Sequence, residues 1–241
     1  MSTASEAQSE AHGHQHRDVS GGWLRPAVFG AMDGLVTNVS LIAGVGGGGG
    51  SRQFIVLTGL AGLAAGAFSM AAGEFVSVSS QNELIQAEVD KERHELTNNA
   101  AAEQAELAGM LRRRGVSAAT ARQAAAEISA HPEKALAIHA LEELGVNPSE
   151  LPSPLVAAGA SLASFAVGAI VPLLPYLLGF DAMGVALGLS ALAAVVGGGL
   201  VARMTNRPFW RGALRQLVLG VLAAGLTYLI GLGVGGMATG A

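Results

Sequence analysis

The chain has 241 residues, of which 13% are charged and 51% hydrophobic, with 34 glycines and a formal net charge of −4. Charge is scarce beside the roughly 25% of ordinary soluble domains, and the mild acidity gives no reason to expect a nucleic-acid partner. Because cysteine is absent, disulfides and thiolate metal sites are excluded, and any metal must be held by oxygen, imidazole or thioether.

Residues 1–22 are polar and lack periodicity, so they are expected to form a disordered tail, and they hold no apolar run of the kind a signal peptide needs. The tail's His12, His14 and His16 read either as a metal-concentrating cluster or as an inert polar segment. Apolar stretches long enough to cross a bilayer, which takes about 20 residues, follow at 25–46, 54–79, 155–178, 181–203 and 214–237. A polar, helix-favouring insert rich in Ala, Glu, Gln and Leu occupies 81–150. The expected fold is therefore an all-α integral membrane protein. Five transmembrane helices are divided as 23–80 (helices 1 and 2), the insert at 81–150, and 151–241 (helices 3 to 5). The glycine run at 44–50 is expected to be a flexible turn between the first two spans.

Basic residues set the expected orientation. With the N-terminus in the cytosol, the tail, the insert and the 203–215 loop lie inside, and Arg52 is the single basic residue outside. Even without the insert the bias is six to one, from Arg17, Arg25, Arg203, Arg207, Arg211 and Arg215. Arginine far outnumbers lysine, and Ala and Gly are abundant, as in GC-rich bacterial genomes. The expected location is a bacterial plasma membrane.

Two acids fall inside the spans, where an ionisable side chain costs roughly 2.5–3.5 kcal/mol and marks a functional position. Asp33 lies in the first helix and Glu74 in the second, with Met70 four residues before Glu74 and so on its face. A carboxylate and a thioether at matching depth suit a transient site for a borderline divalent ion. Glu74 fits equally an interfacial carboxylate reaching for water, and Asp33 a packing hydrogen bond to Asn38 or Thr37 of a neighbouring subunit. Pro172 and Pro175 are expected to interrupt and bend the third span.

The insert opens with Glu88, Glu92, Glu95, Glu103 and Glu106. Glu92 with Glu95, and Glu103 with Glu106, form E-x-x-E pairs. On one continuous helix all would share a stripe; with a turn near Asn98–Asn99, two helices would face each other, as in carboxylate-bridged metal sites of helical bundles. A second acidic spot, Glu142 and Glu143, follows His139. Carboxylates suit Mn(II) and Fe(II), and a solvated acidic face is the competing reading.

The first span, VFGAMDGLVTNVSLIAGV, and the second, AGLAAGAFSMAAGEFVSVSSQNEL, resemble diagnostic stretches of the vacuolar iron transporter family, which includes yeast calcium-sensitivity and plant nodulin-like relatives. The paired glutamates, ELGV at 143–146 and the P-x-x-P of the third span match in order and spacing, so the resemblance covers about 23–237. It implies a homodimer with the ion path at the subunit interface, exporting Fe(II), and often Mn(II), from the cytosol in exchange for protons. It implies that Asp33 and Met70 belong to the path, to which the intramembrane positions add Glu74 and Asn38. It assigns Glu92, Glu95, Glu103, Glu106 and Glu143 to a cytosolic metal-binding domain, beside which Glu88, Glu142 and His139 stand as further candidates. Two departures are His139 and Ala140, where relatives tend to carry methionines, and Ala100, where many have proline. No permanently bound cofactor is expected; Fe(II) or Mn(II) is cargo. The alternative is a membrane-anchored metal buffer or sensor. No Ser/His/Asp arrangement is evident and the glycine run lacks a following Lys-Ser/Thr, so an enzyme is not expected.

Overall fold

The computed structural model describes residues 22–239, so the polar tail and its histidines, and the proposed disorder there, lie outside the described residues. Eight α-helices follow: α1 (Leu24–Gly47), α2 (Arg52–Asn98), α3 (Ala100–Arg113), α4 (Ala118–Ser129), α5 (Pro132–His139), α6 (Pro154–Leu177), α7 (Met183–Met204) and α8 (Phe209–Thr239), with a π-helical turn at Ala140–Leu144 between α5 and α6. Serine side chains start three of them: Ser51, Ser117 and Ser153 accept from the backbone N–H groups of Phe54, Thr120 and Val156.

Five helices among the described residues, α1, α2, α6, α7 and α8, are long and apolar enough to cross a membrane. Large side chains such as Leu57, Phe68, Leu155 and Leu222 are exposed on their outer faces, as expected where hydrocarbon replaces water. α1 is the central element and packs on α2, α6, α7 and α8. Missing side chains permit this: a Cβ on Gly168 would lie 2.0 Å from the Ala31 carbonyl oxygen, and one on Gly34 2.2 Å from that of Phe165. The α1–α6 seam is thus backbone against backbone, the close approach that small residues allow in membranes. Phe165, Leu173 and Tyr176 of α6 are fully buried beside it.

One local feature differs from the sequence expectation. The glycine run is largely helical: α1 continues to Gly47, and a Cβ on Gly231 of α8 would lie 1.9 Å from the Gly44 carbonyl oxygen. Only Gly48–Gly50 remain for the turn, so most of the run is a packing surface. Through Pro172 and Pro175, α6 continues as one helix. In the turn that Pro172 interrupts, Asn38 Nδ2 donates to the Ala169 carbonyl at 2.6 Å, tying α1 to α6.

No break separates the second span from the insert. α2 has 47 residues, or about 70 Å at 1.5 Å per residue; a hydrocarbon core of about 30 Å takes up less than half of that. The remainder projects from the membrane; α3 and α5 fold back against it, and α4 packs on both of them. Leu107, Met110 and Ala125 form one small core of this domain; Val89, Leu136 and Ala140 form another against α2. Asn82 Nδ2 donates to the Pro152 carbonyl at 2.9 Å, tying the emerging α2 to the start of α6.

Candidate metal centre and intramembrane cavity

In the membrane-spanning region, α1 and α2 border a cavity of about 390 Å³ lined by Asp33, Thr37, Ser69, Met70 and Glu74 together with Phe29, Phe165, Gly66 and Gly73. The i, i+4 spacing of Met70 and Glu74 turns both toward Asp33 on the facing helix. Neither acid forms an ion pair among the described residues. Two carboxylates and a thioether therefore meet in one space without a basic neighbour, a set with the oxygen and soft-donor character a borderline divalent cation accepts. Asn38 does not line this cavity. It is buried one to two turns further along α1, where its Oδ1 has no hydrogen-bond partner.

The second cluster lies in the insert. The chain reverses at Asn99, whose side-chain amide donates to Glu95 Oε2, so α2 and α3 face each other across that corner. The reversal brings Glu103 of α3 to Glu92 of α2, and α5 ends between them with His139. Each of these three offers a ligand atom within 4.8 Å of the others. His139 is fully buried, and its Nδ1 is 2.9 Å from Glu92 Oε1, 3.1 Å from Glu143 Oε1 and 3.7 Å from Glu103 Oε2. Nδ1 is aligned for a hydrogen bond with Glu143. Glu92 Oε1, though nearer, has no aligned partner, and neither has the buried Nε2. The π-helical turn that begins at Ala140 carries Glu143 back over the imidazole; such turns recur at functional sites.

The electrostatics favour a cation. Burial pushes the Glu92 carboxyl above its usual range, with the Glu143 charge adding and His139 opposing. Burial also raises Glu103, His139 opposes, and Glu106 and Glu143 add. Three carboxylates surround one imidazole, which binds metal only through a neutral nitrogen, so the group ready to bind carries no positive charge of its own. One divalent cation would supply that charge.

A model of the VIT family matches residues 24–232. The chain belongs to the VIT family. It is similar to a vacuolar iron transporter of Acanthamoeba castellanii, 36% identical over 226 residues that cover 91% of this chain and 82% of the relative. Vacuolar iron transporter homolog 3 of Arabidopsis thaliana is 35% identical over 209 residues, covering 86% of this chain and 80% of the relative. Vacuolar iron transporter 1 of rice is 30% identical over 234 residues, covering 93% and 91%. The match runs through all five spans and the insert of this VIT-family chain, which is an all-helical, multi-pass membrane protein.

Of the candidates, Asp33, Met70 and Glu74 come together in the cavity, and Glu92, Glu103, His139 and Glu143 in the insert. Each E-x-x-E pair is split: its first member faces inward, while Glu95 caps the corner and Glu106 is exposed. Glu88 lines the pocket that also holds Glu92, Glu95, His139 and Glu143, and it lies 3.7 Å from Lys91. Glu142 points elsewhere, pairing with Arg114 at 2.9 Å, and so braces the π-helical turn against the end of α3. Ser69 of the cavity had no signal of its own in the sequence; its i, i+4 relation to Gly73, on the face that opens toward Asp33, is the pattern that marks it.

Proposed function

We propose that this VIT-family chain is a proton-coupled exporter of divalent metal, Fe(II) and also Mn(II), from the cytosol, working as a homodimer. The observation that carries the reading is the Glu92–Glu103–His139 group, whose Glu92 lies on the same unbroken helix as Met70 and Glu74 of the membrane cavity. Twenty-two residues of α2 separate Met70 from Glu92, about 33 Å. Capture and passage thus share one rigid element.

In this mechanism the insert takes metal from the cytosol through Glu92, Glu103, Glu143 and His139, with Glu88, Glu95 and Glu106 supplying outer negative potential. The ion then moves to the α1–α2 cavity, where Asp33 and Met70 bind it and Glu74 stands at the entrance. Asp33 binds metal only when ionised, so arrival of metal releases a proton and protonation releases metal. Inward-moving protons then drive metal outward. The exposed outer face of α2 fits a second subunit, which would complete the ion path. The distribution of basic residues supports a cytosolic N-terminus and insert. The arginine-rich composition supports a bacterial plasma membrane, and export from the cytosol is the same direction that filling a vacuole requires.

A membrane-anchored buffer or sensor would also use the insert, but it leaves the cavity acids without a role. Sealed liposomes containing the purified chain separate the two. Time-dependent accumulation of Fe(II) or Mn(II) above protein-free liposomes is expected; metal bound in proportion to protein, with none entering the lumen, would overturn the transport reading.

A further inference from the structure

The short connection between α7 and α8 gathers a charge pattern that neither the cavity nor the insert uses. Beyond Asp181 the sequence contains no Asp or Glu, yet it carries Arg203, Arg207, Arg211 and Arg215, all within thirteen residues. All four are exposed, and none forms an ion pair among the described residues. Two are held against aromatic rings instead: the Arg203 guanidinium lies 5.5 Å from the Phe209 ring centre and that of Arg211 5.3 Å from the ring centre of Trp210. Stacking of this kind orients a guanidinium while leaving its N–H donors free.

The location adds a second argument. Trp210 is 60% exposed at the first turn of α8, where the span meets water. The chain's other tryptophan, Trp23, is 52% exposed at the start of α1, beside exposed Arg25. Antiparallel spans place both at the insert side of the bundle, the side where α6 begins and α7 ends. Contacts of Gly199 with Phe209 and of Gly22 with Pro152 hold this rim together. Tryptophan prefers the headgroup level of a bilayer, so it fixes the arginines at the depth of lipid phosphates. A topological signal requires only a count of basic residues. The ring-stacked, unpaired geometry matches in addition a layer of phosphates.

We propose that the α7–α8 connection, through Arg203, Arg207, Arg211 and Arg215 with Trp210, is a binding surface for anionic phospholipid headgroups of the leaflet on the insert side. The connection closes the α7–α8 hairpin, whose helices meet where a Cβ on Gly212 would lie 2.1 Å from the Gly198 carbonyl oxygen. Bound lipid therefore braces the end of the hairpin nearest the metal-capturing domain. The proposal does not depend on the transport reading.

Native mass spectrometry of the full-length chain, released from detergent with phosphatidylglycerol or phosphatidylcholine, tests it. Phosphatidylglycerol adducts are expected to outlast phosphatidylcholine adducts. In an Arg207→Gln/Arg211→Gln/Arg215→Gln variant they should weaken by roughly a hundredfold, from a loss of roughly fivefold for each of three basic residues at an anionic surface. A variant with Lys at the same three positions keeps the charge and should keep most of the preference, which controls for misfolding. Inorganic phosphate at equal concentration should not displace the lipid. Equal retention of the two lipids, an unchanged preference in the Gln variant, or displacement by free phosphate would overturn the proposal.

Discussion

Replacing Glu103 by Gln separates a metal centre from a structural ion-pair network, because the two make opposite predictions for the metal-free protein. Ligand atoms of Glu92 and Glu103 lie within 4.8 Å of each other at sites that are largely shielded from solvent. At an effective dielectric constant near 20, two like charges at that distance repel by roughly 3–4 kcal/mol. Glu103→Gln removes this repulsion and forfeits only the longest of the His139 contacts, at 3.7 Å. The apo variant should therefore melt at or above the wild-type temperature. The stabilisation that metal adds should instead be larger in the wild type. A ligand at one hundred times its dissociation constant stabilises by about 2.7 kcal/mol. An affinity loss of about 10- to 100-fold, the size seen even for groups that support metal ligands, leaves roughly 0.4–1.4 kcal/mol. The assay is thermal unfolding of the detergent-solubilised chain with and without Mn(II), read from intrinsic fluorescence. An apo variant destabilised by about 3–5 kcal/mol, the cost of breaking a buried pair, with an unchanged response to Mn(II), would refute the reasoning.

Gly168→Ala places a Cβ 2.0 Å from the Ala31 carbonyl oxygen and should cost about 1–3 kcal/mol as α1 and α6 separate; Gly159→Ala, on the same helix with nothing within 4 Å, should leave melting unchanged or raise it. Both Glu92 and Glu103 have folded-state pKa values above the ordinary 4.5. Their contribution to stability of the metal-free insert is therefore complete below 4.5 and is lost as pH rises through the folded values. Mn(II) binding should follow the reverse course, weakening on acidification through that window; calorimetric titration across pH would show it, and a pH-independent affinity would contradict it.

The spans were legible because each is a long, predominantly apolar stretch, and α1, α6 and α7 begin and end within two residues of the expected bounds. The second span's true end was not. Its hydropathy falls near residue 80, but no Gly or Pro lies between Glu74 and Asn98, so the helix has no reason to stop where its polarity changes. Spacing identified the E-x-x-E pairs, yet could not tell which carboxylate of each turns inward. That depends on the reversal at Asn99 and on the arrival of α5. His139 lies thirty-six residues beyond Glu103 in sequence, and only the fold makes it the centre of the cluster. The glycine run illustrates the opposite case. Glycine signals both turns and close helix contacts, and the choice between them rested on the position of α8.

The most direct measurement is metal flux into proteoliposomes under an imposed pH gradient, with wild type beside Asp33→Asn. The account predicts Fe(II) and Mn(II) flux that rises with the gradient in the wild type and is lost in the variant, while metal binding by the insert persists. Gradient-dependent flux that survives Asp33→Asn would contradict it.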